Sequence, residues 1–173
     1  MAVSKNAHPS PEAAAPATAA RAPGPRLKLD DHVPLLLSHV ANMLTANASR
    51  TYFKHHGLAV TEWRVIRVLA AEPRLSQGRI AHMMGINKSS VSRSAEALIN
   101  RGLIVDEPDP TDPRRILLSL TPAGEALHDE TVVTAMARDA LFLDGISDEE
   151  RTILVRLLKQ LRANLPKMAA YRP

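Results

Sequence analysis

The sequence predicts a mainly α-helical protein with one small β-hairpin, arranged as a winged helix-turn-helix with flanking dimerisation helices. Apolar residues recur with helical spacing along most of the chain between residues 30 and 166. Two short β-type runs, residues 103–105 and 116–120, interrupt this helical pattern. Capping residues and glycines stand at the positions where the predicted helices begin and end.

The 173-residue chain is long enough for one folded domain, which we expect over residues 28–173. No apolar run approaches the roughly 20 residues that a membrane helix needs, and the N-terminal segment lacks the apolar core of a secretory signal. There is no cysteine, which excludes disulfides and thiolate metal sites. These features fit a cytoplasmic protein.

Residues 1–27 are rich in alanine and proline and hold almost no bulky apolar side chains, so we predict a disordered tail. The net charge of +4 is too small to indicate nucleic acid binding by itself. Its distribution is more informative, because residues 74–101 carry five basic side chains against one acidic side chain. A localised basic segment is expected of a phosphate-binding surface, but a solvated charged face would have the same composition.

The first two helices are delimited by residues that cap or stop helices. The first begins at Asp30 or Asp31, either of which can cap it, and ends before Gly57. The second begins with Thr61 as its cap and ends before Pro73.

The third and fourth helices are short and follow each other closely. Ser76 caps the third helix, and Gly85 supplies the turn that follows it. Asn87 begins the fourth helix, which runs to about residue 101 and is closed by Gly102.

After the fourth helix come the hairpin and two longer helices. The polar, proline-rich residues 106–113 are predicted as the turn between the two β runs. Thr121 as cap and Pro122 at the first helical position begin the fifth helix. Ser147 and Glu150 form a capping box for the last helix. Its apolar stripe, which can pack within the chain or against a second copy, comprises Ile153, Leu154, Leu157, Leu158, Leu161 and Leu165.

The spacing of Ala81, Gly85 and Val91 is typical of a helix-turn-helix. The first residue must be small where two helices cross, the second must allow a positive φ, and the third fills the space between the helices. A capped short helix precedes this pattern and a β-hairpin follows it, which supports a winged helix-turn-helix.

The fourth helix has two distinct faces. Val91, Ala95 and Leu98 fall at helical spacing and are predicted to face the protein. Lys88 and Arg93 lie largely elsewhere, together with small serines that would allow close approach to the major groove of DNA. The alternative is an ordinary polar face on which the serines act only as caps.

Four sequence runs in this region resemble the MarR family of transcriptional regulators. They are LSQGRIAHMMGINKSSVSR at residues 75–93, LINRGLI at residues 98–104, DPTDPR at residues 109–114 and LSLTPAG at residues 118–124. The resemblance covers about residues 30–166, and the wing motif is its most specific part.

The resemblance implies a homodimer joined by its first and last helices, residues 28–58 and 121–170, beside a winged helix-turn-helix at residues 60–120. It implies a pseudo-palindromic operator in double-stranded DNA, which fits a dimer that places two recognition helices about 34 Å apart. It also implies that Arg114 reaches the minor groove while Asp112 supports the wing. We expect DNA contacts from Ser76, Gln77, Lys88, Ser89, Ser90, Ser92, Arg93, Arg114 and Arg115.

Two places depart from the family's usual pattern. Val105 and Asp106 stand where Glu-Arg is common, and Pro113 stands where another arginine is common. The wing is therefore more acidic than usual, with four carboxylates against Arg114 and Arg115. The strength with which the wing binds DNA stays open at this point.

The resemblance also implies a repressor that is released from its operator by a small anionic or aromatic ligand, such as an aromatic acid or its thioester. An arginine or histidine beside an aromatic ring could hold a carboxylate and stack on a ring. Trp63 could equally be a core residue, and the neighbouring histidines could be a solvated helix end. The candidates for this effector site are Arg50, Tyr52, Phe53, His55, His56, Trp63 and Arg67.

No pattern in the sequence indicates catalysis, a metal site or a cofactor. A glycine-rich phosphate loop, a nucleophile elbow and a His pair at metal-binding spacing are all missing from the sequence. Two interpretations follow. The first is a sequence-specific, dimeric, ligand-responsive transcriptional repressor. The second is a winged-helix module for assembly or architectural DNA binding that has no small-molecule effector.

Overall fold

A computed structural model describes residues 28–172, which fall into two compact units, residues 28–41 and residues 42–172. The predicted disordered tail, residues 1–27, lies outside the described residues. The architecture is mainly helical with one antiparallel β-hairpin, which confirms the predicted fold class. The elements in chain order are α1 Val33–His56, α2 Val60–Ala71, α3 Gln77–Met84, α4 Lys88–Asn100, β1 Ile104–Asp109, β2 Asp112–Leu120, α5 Pro122–Phe142 and α6 Asp148–Ala170.

The first unit holds the beginning of α1. The His32 N–H donates to the Leu29 carbonyl at 3.2 Å in a turn, and α1 begins immediately after this turn. The predicted start at Asp30 or Asp31 is therefore wrong, because both residues lie within the turn and His32 directly precedes the helix. The exposed large apolar residues of this unit are Leu29, Val33, Leu35, Leu36, Leu37 and Val40.

The core of the second unit lies between α2, α3, α4 and the hairpin. Many of its members lie on the inner faces of these helices, and α1, α5 and both strands also contribute side chains. The fully buried apolar side chains are Tyr52, Leu58, Val65, Ile66, Leu69, Ile80, Val91, Ala95, Leu98, Ile104 and Leu118.

The start of α2 differs from the prediction. Ala59 occupies the capping position, and Glu62 accepts a hydrogen bond from the Ala59 N–H at 2.9 Å. Thr61 lies one residue inside the helix, so its predicted capping role is wrong. A carboxylate in the first turn binds one of the backbone N–H groups that a helix start leaves open.

The other four predicted caps are confirmed. In each, a side-chain oxygen accepts the N–H of the residue three positions later, which stabilises the helix start. The caps are Ser76 in α3, Asn87 in α4, Thr121 in α5 and Ser147 in α6. Ser147 and Glu150 form the predicted capping box, with distances of 3.2 and 2.9 Å.

The hairpin is longer than the sequence analysis predicted. Its strands run through the acidic, proline-containing stretch, so that only Pro110 and Thr111 remain as the loop. Pro108 and Pro113 are tolerated because each strand of a two-stranded sheet has one edge without ladder hydrogen bonds. Asp109 closes the loop by accepting the Thr111 N–H at 2.9 Å and the Thr111 hydroxyl at 2.7 Å.

The start of α5 is packed directly against the end of α4. The Thr121 hydroxyl donates to the Gly102 carbonyl at 2.7 Å, and the Thr121 N–H donates to the Leu103 carbonyl at 3.1 Å. A Cβ added to Gly124 would lie 2.0 Å from the Leu103 carbonyl oxygen. The glycine of the LSLTPAG run is therefore required by a close backbone approach.

The last helix, α6, contains no buried residue. The members of its predicted apolar stripe are between 39% and 56% exposed. Within the described residues, no helix is long and apolar enough to cross a membrane.

Candidate nucleic-acid interface

The helices α3 and α4 form a helix-turn-helix. Gly85 follows α3 with φ of 65°, a left-handed conformation that glycine adopts without strain. Ala81 is 5% exposed and Val91 is fully buried, so the small residue and the interhelical apolar residue lie where the spacing predicted them. Asn87 then caps α4.

The two faces of α4 differ as predicted. Val91, Ala95 and Leu98 are fully buried against the protein. The opposite face presents two cations and small hydroxyl groups to solvent, and Glu96 stands further along the helix. The exposed members are Lys88, Ser89, Ser92 and Arg93, whereas Ser76, Gln77 and Ser90 are half-buried.

The first turn of α4 is organised by Asn87. Its side-chain oxygen accepts the Ser90 N–H at 2.8 Å and the Ser89 hydroxyl at 2.9 Å. The Arg93 guanidinium lies 3.5 Å from the Ser90 hydroxyl, which places this cation beside the helix start. The open N–H groups of a helix start attract phosphate, and a neighbouring cation adds to that attraction.

The wing presents two exposed arginines near its tip. The Arg114 N–H donates to the Asp112 carboxylate at 3.2 Å, so Asp112 contacts the backbone of the strand. The Arg115 guanidinium lies 3.9 Å from the carboxylate of Asp109. Also on β1, Glu107 forms an ion pair with Arg74 at 2.9 Å.

Hydrogen bonds in the wing loop stabilise a charged Asp109. The hydroxyl of Thr111 and its backbone N–H hold the pKa of the Asp109 carboxyl below its ordinary value. The nearby Arg115 lowers this pKa further. The loop is thus held by a carboxylate that stays ionised at neutral pH.

A second polar cluster lies where α1, α2 and α5 meet, within residues 42–172. The rings of Tyr52 and Trp63 stack with their centroids 3.9 Å apart. The Arg67 guanidinium lies 4.8 Å from the Trp63 ring centroid, and the Arg138 guanidinium lies 5.8 Å from the Tyr52 ring centroid. The cluster therefore combines an aromatic wall with two cations.

The polar atoms of this aromatic pair are buried without partners. The Tyr52 hydroxyl and the Trp63 Nε1–H have no hydrogen-bond partner among residues 28–172. Burial raises the pKa of the Tyr52 phenol, and the charges of Arg138 and Arg67 oppose that rise. A buried polar group without a partner costs about 1–3 kcal/mol, which a bound ligand could recover.

The structure brings only some of the predicted effector residues together. Trp63 and Arg67 join Tyr52 in the cluster, whereas Arg50, Phe53 and His55 are exposed at the surface of α1. Phe53 is 71% exposed and follows Tyr52 by one residue, which turns it about 100° around the helix.

Sequence reasoning missed the α5 side of this cluster. Arg138 donates to Asn47 and to the Thr51 hydroxyl, the latter at 3.1 Å. His56, a predicted candidate, has a buried side chain whose Nδ1 lies 3.2 Å from a carboxylate oxygen of Glu130. Arg138 and Thr51 are 87 positions apart in sequence, so only the tertiary fold could reveal this contact.

Comparison with known proteins identifies a family model and a relative that match this chain. The MarR family model matches residues 56–115. A putative transcriptional regulatory protein for the hcr operon of Thauera aromatica is 34% identical over 113 residues, which is 65% of this chain and 68% of that relative.

Solved structures match over a longer part of the chain. A MarR/EmrR family transcriptional regulator from Acinetobacter sp. ADP1 has a TM-score of 0.76 and 28% identity, and the match covers 82% of this chain and 99% of that one. BpsR of Bordetella bronchiseptica has a TM-score of 0.70 and 27% identity, and the match covers 80% and 98%. That structure concerns the regulation of BpsR's DNA binding by 6-hydroxynicotinic acid.

Proposed function

The chain belongs to the MarR family of transcriptional regulators, and on that premise we propose that it is a homodimeric repressor released from a pseudo-palindromic operator by a small aromatic anion. The observation that carries the proposal is the face of α4 that combines exposed Lys88 and Arg93 with serines. Short hydroxyl side chains let the helix approach base edges, and arginine and lysine favour guanine and phosphate.

The DNA contacts are divided between α4 and the wing. In this proposal, Lys88, Ser89, Ser92 and Arg93 enter the major groove, while Ser76 and Gln77 at the start of α3 approach the phosphates. Arg114 extends from the wing into the adjacent minor groove. Contacts to base edges supply the sequence specificity, and contacts to phosphates position the protein.

The dimer is supported by the apolar stripe of α6. Leu154, Leu157, Leu158 and Leu161 are each about 40% exposed in the single chain. A contiguous apolar patch of this kind is unusual on a monomer and is typical of a protein–protein interface. A second copy is the partner proposed here, because two-fold symmetry would also place two α4 helices on one face of DNA.

The effector site is proposed at the cluster of Tyr52, Trp63, Arg67 and Arg138. A carboxylate there would pair with a guanidinium, and its oxygens could accept the Trp63 Nε1–H and the Tyr52 hydroxyl, which lack partners among the described residues. BpsR, which responds to a heteroaromatic acid, is a related precedent for this ligand class. Aromatic thioesters are the second ligand class to be tested.

A binding selection followed by ligand release tests the proposal. The protein is used to select duplexes from a random-sequence pool, and 6-hydroxynicotinate, 4-hydroxybenzoate and an aromatic acyl thioester are then added separately. We expect a shared two-fold symmetric site and release by at least one ligand. If the selected duplexes share no common sequence, the proposal of a sequence-specific regulator is contradicted. Selection without release by any ligand would favour an architectural module.

The variant Trp63→Phe sharpens the test of the effector site. It keeps an aromatic surface against Tyr52 but removes the Nε1–H. We expect unchanged operator affinity and a ligand response weakened about tenfold or more, as expected for a lost hydrogen bond to a charged group. The control Phe53→Leu changes an exposed aromatic residue one position from Tyr52 and should leave the ligand response unchanged.

A further inference from the structure

Two of the three carboxylates of β1 lie beside arginines. Glu107 binds the Arg74 guanidinium at 2.9 Å, and both side chains are about half exposed. Asp109 lies 3.9 Å from the Arg115 guanidinium. The acidic composition of the wing therefore does more than lower its net charge, because two of its carboxylates lie against specific cations.

Arg74 has an unusual backbone conformation. Its φ is +61°, and it is the one non-glycine residue among residues 28–172 with a positive φ. Such a conformation costs a long side chain about 1–2 kcal/mol. The next residue, Leu75, exchanges backbone hydrogen bonds with Leu118 of β2 at 2.9 and 3.1 Å. The Arg74 side chain thus reaches Glu107 of β1 across the width of β2.

Arg114 differs from these two arginines. Its backbone N–H contacts Asp112, but its guanidinium forms no ion pair within residues 28–172. Of the three arginines around the wing, Arg74 and Arg115 are thus beside carboxylates and Arg114 is not. To bind a phosphate, Arg74 would have to break its ion pair with Glu107.

We propose that Glu107 and Asp109 are specificity-determining residues that limit sequence-independent DNA binding by the wing. Their carboxylates pair with Arg74 and Arg115. Arg114 is the wing arginine whose guanidinium pairs with no carboxylate within residues 28–172, so it is the one available to DNA. Contacts to phosphates add affinity on every sequence, whereas a contact in the groove adds it only on some. The inference rests on the proposed function, because it presupposes that the wing contacts DNA.

The test compares two substitutions that change the charge of β1 equally. Glu107→Gln releases Arg74, whereas the control Asp106→Asn removes a neighbouring exposed carboxylate that forms no ion pair among the described residues. Affinity for a random-sequence duplex is measured by fluorescence anisotropy over a series of salt concentrations. We expect Glu107→Gln to bind roughly two- to fivefold more tightly than Asp106→Asn near physiological salt.

The salt dependence reports the number of phosphates contacted. Each newly neutralised phosphate should steepen the slope of log affinity against log salt by about 0.9. We expect this steepening for Glu107→Gln and a smaller change for Asp106→Asn. Affinity for the selected operator should rise less than affinity for the random duplex, so the ratio between the two should fall.

A double substitution identifies the released cation. Adding Arg74→Gln to Glu107→Gln should abolish the gain in affinity and in slope, whereas Arg74→Gln alone should leave random-duplex binding close to that of the wild type. Equal behaviour of Glu107→Gln and Asp106→Asn, or a gain that survives Arg74→Gln, would overturn the inference while leaving the proposed function intact. A wild-type protein that binds no duplex would overturn both.

Discussion

The Asn87 side-chain oxygen accepts the Ser90 N–H at 2.8 Å, which fixes the first turn of the helix that we propose enters the major groove. The same oxygen accepts the Ser89 hydroxyl at 2.9 Å. One residue outside α4 therefore determines both where the helix begins and how a proposed DNA-contacting serine is oriented. Stability and DNA binding are coupled at this position.

Replacing Asn87 with alanine should lower the free energy of unfolding by about 1 kcal/mol, because the Ser90 N–H loses its acceptor. Operator affinity should fall as well, since the first turn of α4 would fray. Asn87→Asp keeps an acceptor and should retain most of the stability. Urea denaturation of the three proteins measures the effect, and equal stability of Asn87→Ala and wild type would show that the cap is dispensable.

Gly124→Ala should be among the most destabilising single substitutions in the chain. The added methyl group would lie 2.0 Å from the Leu103 carbonyl oxygen, so the start of α5 must move away from the Leu103 backbone. We expect a loss of about 3 kcal/mol or more. Gly78→Ala is the matched control, because a Cβ at Gly78 has no neighbour within 4 Å and alanine favours a helix.

Thr111→Val should raise the pKa of Asp109, because the substitution removes the hydroxyl whose hydrogen bond is the largest cause of the lowered pKa. A lowered carboxyl pKa contributes stability at pH values above the unfolded-state pKa, and that contribution is lost as the pH falls through the folded-state pKa. The variant should therefore have a lower free energy of unfolding than wild type at neutral pH. In strong acid, where Asp109 is protonated in both proteins, this difference should disappear. Carboxyl-detected NMR titration measures the pKa, and an unchanged value would contradict this account of the loop.

Leu157→Asp should weaken self-association about tenfold or more, because it would bury a carboxylate in the proposed interface. Arg156→Asp, one position away at the exposed surface of α6, should have a smaller effect. Sedimentation equilibrium measures the association constant. A wild-type protein that sediments as a monomer would contradict the proposed dimer.

Most of the winged helix-turn-helix could be predicted because its signals are local. The caps at Ser76 and Asn87, the turn at Gly85 and the inner face of α4 each depend on residues within a few positions of one another. Helical periodicity then identified the buried side chains, because the face of a helix follows directly from spacing.

The wing and the aromatic cluster could be predicted only in part. Proline and aspartate favour turns, so residues 106–113 were predicted as a loop, although the pairing of β1 with β2 extends both strands into that stretch. Arg138 contacts Thr51 across 87 positions, and the Arg74–Glu107 pair spans 33. No local pattern encodes such contacts, because they depend on how the elements pack together.

The most direct test of the proposed function is the operator affinity of Arg93→Ala. Arg93 is exposed on α4, and its one side-chain hydrogen bond within residues 28–172 is to the Ser90 hydroxyl at 3.5 Å, so its removal should leave the fold intact. We expect a loss of about 1–3 kcal/mol in binding to the duplex selected by the wild type, with relaxed specificity at one base pair. Arg156→Ala on α6 should bind as the wild type does. An Arg93→Ala protein with unchanged affinity and specificity would contradict the assignment of α4 as the DNA-reading helix.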